Sequence, residues 1–263
     1  MILDKVLNTI ESAAPLMWQE AWDNSGLQVG DRNADIQKAL LTVDVTESVV
    51  REAMDLHCDL IISHHPLIFQ PLKSITGNTP QERCVELAIR NNIAIYSGHT
   101  NMDCWLHGVS GRMAEMLGIR EFRILVDNAQ CTMHDEEYGL GVIGELDEPV
   151  AFTALLERIR EVFDTTYIRY IDGPQTVQRI AICGGAGSEG IDEAIRQEAD
   201  VFITADLKYH EFCNAQGQIA LIDMDHWISE HFTRDIYKEL LEGQIETVIS
   251  KADRSPVKVV GSK

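Results

Sequence analysis

The sequence predicts an α/β protein built from two related α/β domains, each a mostly parallel sheet flanked by helices. Three observations carry this. Short all-apolar runs, which mark strands buried on both faces, alternate with segments of helical spacing. The pattern of the first half returns in the second at a constant spacing. Histidines and carboxylates stand just past the ends of the buried runs, where open α/β sheets bind ligands.

Taken in order, Ile2, Val6, Leu7 and Ile10 have helical spacing, and Pro15 closes that region. The stretch W-D-N-S-G-L-Q-V-G, Trp22 to Gly30, holds a turn signal at Asp23–Gly26 and a short strand at Leu27–Val29. Ala39–Val45 reads as a strand, and Thr46 as the N-cap of a helix through about Leu56. Next comes D-L-I-I-S-H-H-P-L-I-F, Asp59 to Phe69. Leu60, Ile61 and Ile62 form a buried strand that runs into Ser63, His64 and His65. Pro66 ends it, since proline cannot donate to a ladder. Thr79-Pro80 opens a helix with Pro at its first position, running to Asn91-Asn92. Ile93–Ser97 is a strand followed by G-H-T-N-M-D, Gly98 to Asp103, and Val109–Leu117 is helical. Strand, helix, strand, helix, strand is the pattern of a parallel sheet with helical crossovers.

The second half begins near Ile124. Strands are expected at Tyr138–Leu146, Tyr167–Ile171, Arg179–Cys183 and Asp200–Asp206, with helices at Val150–Phe163 and Ile191–Ala199. At an offset of 141 residues, Ala39-Leu40-Leu41 lies over Ile180-Ala181-Ile182, and Asp59–Ser63 over Asp200–Thr204. At an offset of 126, Ile93-Ala94-Ile95 lies over Ile219-Ala220-Leu221. The matched Asp at both strand starts favours duplication over chance. The expected domains are 1–125 with 231–263, and 126–230, with a metal site in the cleft between them.

The 263 residues carry 22 basic and 42 acidic side chains, a formal net charge of −20. Such a surface repels phosphate backbones and anionic lipid, which disfavours nucleic-acid and membrane binding. The six cysteines, Cys58, Cys84, Cys104, Cys131, Cys183 and Cys213, form no CxxC pair and read as buried thiols of a reducing compartment. Met1 to Ile10 has no signal-peptide character, and no apolar run approaches the ~18 residues of a membrane span. The expectation is a cytoplasmic protein.

Four strand ends carry chemistry: His64-His65, His99 to Asp103, Thr204 to His210, and Asp223 to Glu230. His226 and Glu230 stand four apart, as do His99 and Asp103, a spacing that puts both side chains on one helix face. One such pair is common on solvated helices. Two at equivalent strand ends, plus adjacent imidazoles at a third, point to a mixed nitrogen and oxygen metal site. Those ligands suit Zn, Fe, Mn, Ni or Co rather than Ca or Mg. Gly184–Ser188, G-G-A-G-S, is no phosphate-binding P-loop, because the Lys is missing.

These stretches carry a family resemblance. With F-I-T-A-D-L-K-Y-H-E (Phe202–Glu211) and D-H-W-I-S-E (Asp225–Glu230), they span nearly the whole chain. The sequence resembles the NIF-three-like family of dinuclear metal-centre proteins, often labelled GTP cyclohydrolase I type 2 homologues, in its short form. The region near Gln130 is too short for the domain some relatives insert. The resemblance implies two divalent metal ions: one held by His65, Asp103 and Glu230, the other by His64 and His226, with Glu230 bridging. It gives His99 no ligand role; His99 is a candidate catalytic residue that orients a ligand or moves protons, or else a satisfied strand-end histidine. Ala205 and Asp225 stand where relatives usually have Gly, and Asp225 adds negative charge beside the site. The resemblance also implies a hexameric ring; Trp18, Trp22 and Trp105, at element ends, are candidate interface aromatics or local packing.

Two functions stay open. One is a metal-dependent hydrolase of a small nucleotide-like or phosphate-containing substrate, GTP cyclohydrolase-like by family label alone. The other is a non-catalytic metal-binding scaffold or regulatory partner.

Overall fold

Residues 1–127, 138–165 and 167–260 are described in the computed structural model of the chain. Cys131 and Gln130 lie outside them. Four strands come first: β1 (Gly26–Val29), β2 (Lys38–Thr42), β3 (Leu60–Ser63) and β4 (Ala94–Ser97). Then follow β5 (Phe122–Asp127), β6 (Gly139–Ala151), β7 (Arg169–Tyr170), β8 (Thr176–Ala186), β9 (Val201–Ala205), β10 (Ala220–Met224) and β11 (Glu246–Ile249). They form two sheets, in the orders β1-β4-β3-β2-β11 and β5-β6-β8-β9-β10-β7. The chain divides into two units, Met1–Met102 with His231–Arg254, and Asp103–Glu230 with Ser255–Lys263. Residues 103–125 therefore belong with the second unit, not the first. The reason is local: the helix Val109–Met116 packs on β8 and β6. Gly184 N also donates to the Ser110 hydroxyl at 3.2 Å.

In the first unit β11, β2, β3 and β4 run parallel, and only β1 is antiparallel, as expected of a mostly parallel sheet. Leu60, Ile61 and Ile62 are fully buried because both faces are covered. On one face the helices Glu47–Asp55 and Pro80–Arg90 set Val49, Val50, Ala53, Val85 and Ala88 against Leu40, Ile61 and Ile95. The helix Thr233–Leu240 packs on β2, and the helix Leu3–Ala13 packs on that helix through a buried stripe of Leu3, Val6, Leu7 and Ile10. The two caps form as read: Thr46 Oγ1 accepts from Val49 N at 3.3 Å and Thr79 Oγ1 from Glu82 N at 3.2 Å. β11 went unpredicted; as an edge strand its residues are partly exposed and lack a buried run.

The second unit corrects the expectation of a mostly parallel sheet. Three of the five pairings among its described strands are antiparallel: β5 with β6, β6 with β8, and β7 with β10. Only β8, β9 and β10 are parallel, and these are the strands with helices between them, Ile191–Arg196 and Tyr209–Ala215. A parallel pair needs such a crossover, whereas antiparallel partners need only a reversal of the chain.

The repeat holds in register, not only in letters. Ala39 pairs with Leu60, and Ile180 with Val201. Leu60 pairs with Ala94, and Val201 with Ala220. The matched aspartates do the same task. Asp59 Oδ2 accepts from Gln37 N and Lys38 N at 2.8 and 3.1 Å, and Asp200 Oδ2 from Gln178 N and Arg179 N at 2.8 and 2.9 Å. Each carboxylate ties the start of the neighbouring strand to its own, which fixes the register where ladder bonds have not yet begun. Even the left-handed turn residues before them correspond: His57 at φ 54° and Glu198 at φ 57°.

Candidate metal centre

In the first unit the strand ends hold three imidazoles. Beyond β3, Ser63 Oγ lies 2.7 Å from Ser97 Oγ and donates to His65 O at 2.8 Å, which fixes the chain as it leaves the sheet. His64 is fully buried, and its Nδ1 donates to Gly98 O at 3.0 Å, since a carbonyl oxygen can only accept. Tyr237 OH donates to the same oxygen at 2.7 Å. His65 Nδ1 lies 2.9 Å from Asp44 Oδ1, and His99 Nδ1 lies 2.8 Å from Asp23 Oδ1. The three rings are 5.0 to 5.4 Å apart between centroids. One donor nitrogen from each of His64, His65 and His99 falls within 4.8 Å of the others. With Nδ1 held on an acceptor in all three, Nε2 is the ring nitrogen that could coordinate an ion.

Asp23 anchors the His99 end of this arrangement. Its Oδ2 accepts from Thr100 N at 3.1 Å, Thr100 Oγ1 at 2.6 Å and Ser25 Oγ at 2.9 Å. Burial pushes its carboxyl up, but the hydrogen bonds from His99 and Thr100 and the His99 charge outweigh that, holding it well below the usual carboxylate range.

In the second unit the helix His226–Glu230 carries the predicted pair on one face, with His226 Nε2 3.1 Å from Glu230 Oε2. His226 Nδ1 lies 2.8 Å from Asp206 Oδ2, just past β9, where Asp206 adopts a left-handed φ of 57°. Ser229 Oγ donates to His226 O at 2.8 Å and accepts from Gly185 N at 3.0 Å. The glycine run at the end of β8 thus borders the carboxylate. Gly185 has φ 63°, and a Cβ there would stand 2.1 Å from Glu230 Oε1. Thr204 Oγ1 donates to Gly185 O and accepts from Gly187 N, both at 3.0 Å, closing the loop. Asp103 ends the helix Thr100–Asp103 and begins the second unit; Glu230 is the last residue before the chain returns to the first.

Each predicted site residue therefore stands at a strand end or on the helix beyond it. Sequence reasoning missed the partners of the imidazoles, Asp44 and Asp23, and placed Asp206 only within the strand end Thr204 to His210. A signal existed for Asp206: the 141-residue offset lays it over His65. Asp44 follows β2 with no such mark. Of the candidate interface tryptophans, Trp18 is buried and Trp105 half-buried with its ring 6.1 Å from His107, whereas Trp22 is exposed. Among the described cysteines four are buried, but Cys213 is exposed. Burial pushes the Cys183 thiol well up, which disfavours the thiolate.

A family model described as Duf34/NIF3 (NGG1p interacting factor 3) matches residues 1–256. The chain belongs to this family. A Duf34/NIF3 chain of this length has relatives of the same extent. It is 33% identical over 267 residues to the "GTP cyclohydrolase 1 type 2 homolog" of Clostridium perfringens, covering 99% of this chain and 100% of that one. It is 30% identical to "NIF3-like protein 1" of Drosophila melanogaster, covering 99% and 90%. In structure it matches the Bacillus cereus protein related to NIF3 with a TM-score of 0.86 at 23% identity, covering 98% and 99%. The Staphylococcus aureus protein SA1388 matches at 0.87 and 24%, covering 99% of both chains. These neighbours share the two-domain Duf34/NIF3 fold. No helix among the described residues is long and apolar enough to cross a membrane.

Proposed function

We propose that this chain is a dinuclear metal protein and a metal-dependent hydrolase of a small nucleotide-like or phosphate-containing substrate. The ligands in this reading are His64, His65, Asp103, His226 and Glu230, with Glu230 bridging. One observation carries it: His64, His65 and His226 each have Nδ1 held on a carbonyl or carboxylate oxygen, which points the role of ligand to Nε2. Solvated loop histidines need no such second contact, whereas metal-ligating ones nearly always have it. The donor chemistry, imidazole with carboxylate, suits a divalent transition ion.

A pair of such ions would supply Lewis acidity and a water made acidic enough to act near neutral pH. The chain's own residues do the rest. Gly98 O, Asp44 and Asp206 hold the imidazoles in one tautomer and orientation. The Gly184–Gly187 loop sets the Glu230 carboxylate, and Asp23 holds His99 beside His64 and His65. The name carried by the bacterial relatives supports a nucleotide-like substrate; no residue described above selects guanine.

The test is turnover of a panel of phosphoesters and nucleotides by protein loaded in turn with Zn, Mn, Fe, Ni and Co. Activity that follows metal content supports the hydrolase. A protein that binds two metals per chain and turns over nothing on the panel is a metal-binding scaffold, and the hydrolase reading falls.

A further inference from the structure

Trp22 and Phe69 are large aromatics that the first unit leaves in solvent, 58% and 43% exposed. Exposed apolar residues are common singly, but a contiguous pair held rigid beside a donor cluster is not. The two rings meet at 5.9 Å between centroids and 60° between planes. Trp22 lies 6.1 Å, and Phe69 6.4 Å, from the His99 ring. His99 in turn stands 5.3 and 5.4 Å from His64 and His65. The order is thus an aromatic corner, then His99, then the two candidate ligands.

The corner is fixed by its backbone. Trp22 precedes Asp23, whose carboxylate takes the hydrogen bonds from His99, Thr100 and Ser25. Phe69 follows Ile68, and both backbone polar groups of Ile68 are tied to the Trp22 stretch. Asn24 Nδ2 donates to Ile68 O at 2.6 Å, and Ile68 N donates to Gln28 Oε1 at 2.8 Å. Two loops distant in sequence are stitched together so that one aromatic from each stands exposed at the same place. Ordering two aromatics that stay about half exposed gains the fold less than burying them would.

We propose that Trp22 and Phe69 form a stacking corner for a planar heterocycle, a nucleobase or a ring like it, and so determine the ring part of the substrate. A flat ring laid against one of the two meets the other near edge-on, which is the favoured geometry for aromatic neighbours. Stacking of this kind accepts any base, because every base has a π-face. The inference rests on the proposed function: the metals take the phosphate-bearing end, and the corner takes the ring, with His99 between them. A neutral ring also avoids the repulsion that the chain's −20 charge imposes on an anion away from metal.

Adenosine, guanosine and uridine, which have the ring without phosphate, are titrated into the protein with and without Zn²⁺, followed by tryptophan fluorescence and calorimetry. Ribose 5-phosphate is the ringless control. All three nucleosides are expected to bind and to quench emission, and ribose 5-phosphate to leave it unchanged. W22F should keep most of the affinity but lose the quench. W22A and F69A should weaken nucleoside binding about tenfold to a hundredfold while zinc content stays at the wild-type value. Absence of nucleoside binding in both zinc states, or wild-type affinity in W22A and F69A, overturns the corner. So does a fall in particle mass by light scattering in W22A with nucleoside affinity intact, which makes the corner an interface between copies. Failure to take up zinc sinks the metal reading instead, and the nucleoside titrations without zinc still decide the corner.

Discussion

Replacing Gly185 by Ala should empty the metal site without unfolding the chain. The added Cβ would stand 2.1 Å from Glu230 Oε1 and 3.2 Å from its Cδ, where ordinary contact begins near 3.4 Å. The carboxylate must therefore retreat by more than ~1 Å, while a metal–ligand distance holds to within about 0.2 Å. The backbone adds a separate cost. Gly185 has φ 63°, and a non-glycine residue there loses about 1–2 kcal/mol. In a domain of this size that lowers Tm by about 2–4 °C for each kcal/mol. Gly217 separates the two effects, since it has φ 80° with nothing within 4 Å of its would-be Cβ. G217A should thus show a comparable drop in Tm with full metal content, and G185A that drop together with at least a tenfold loss of metal affinity. Elemental analysis after dialysis against limiting zinc, with thermal melts of both variants, reads this. Wild-type zinc affinity in G185A would refute the claim that the glycine loop sets the Glu230 carboxylate. Equal metal loss in G217A would show that backbone strain, not the contact, is responsible.

H65A and E230A should lose metal yet keep their circular dichroism spectra, because these side chains stand beyond the strands rather than in the sheets. E230A should retain less metal than H64A, as a bridging ligand serves two ions, and the reverse order by elemental analysis counts against bridging. D206N should weaken zinc binding about tenfold to a hundredfold with little change in Tm, because Asp206 is exposed and acts by orienting His226; an unchanged zinc titration removes it from the site. In metal-free protein, Asp23 should show in the acid limb of stability. Its folded carboxyl lies below the ordinary value, so the unfolded chain takes up the proton first. The contribution is complete above about pH 4 and is lost as pH falls further, by up to about 1.4 kcal/mol per pH unit. Denaturant melts of D23N from pH 5 to 3 should accordingly be flatter than those of wild type, and parallel curves would contradict the assignment.

The buried strands, the repeat and the strand-end places of the candidate donors were legible in the order of residues alone. Leu60-Ile61-Ile62 is apolar without interruption because both faces of the sheet are covered, and that need is written in consecutive letters. The two helix caps were legible because Thr46 and Thr79 act on backbone three residues ahead. The repeat was legible because Asp59 and Asp200 share one register task, accepting from the backbone at the start of the neighbouring strand. Tertiary structure decided what rests on long-range pairing. The antiparallel strands of the second unit follow from which neighbours β6 and β8 find, and β11 from joining a sheet begun some two hundred residues earlier. The partners of the imidazoles were hidden for the same reason. Asp44 lies 21 residues from His65 and Asp23 76 from His99, so only the folded chain brings acceptor to ring. Gly185 is the sharpest case. Its letters ruled out a P-loop but named no other task, and its role, leaving room for Glu230, exists only once two distant strand ends meet.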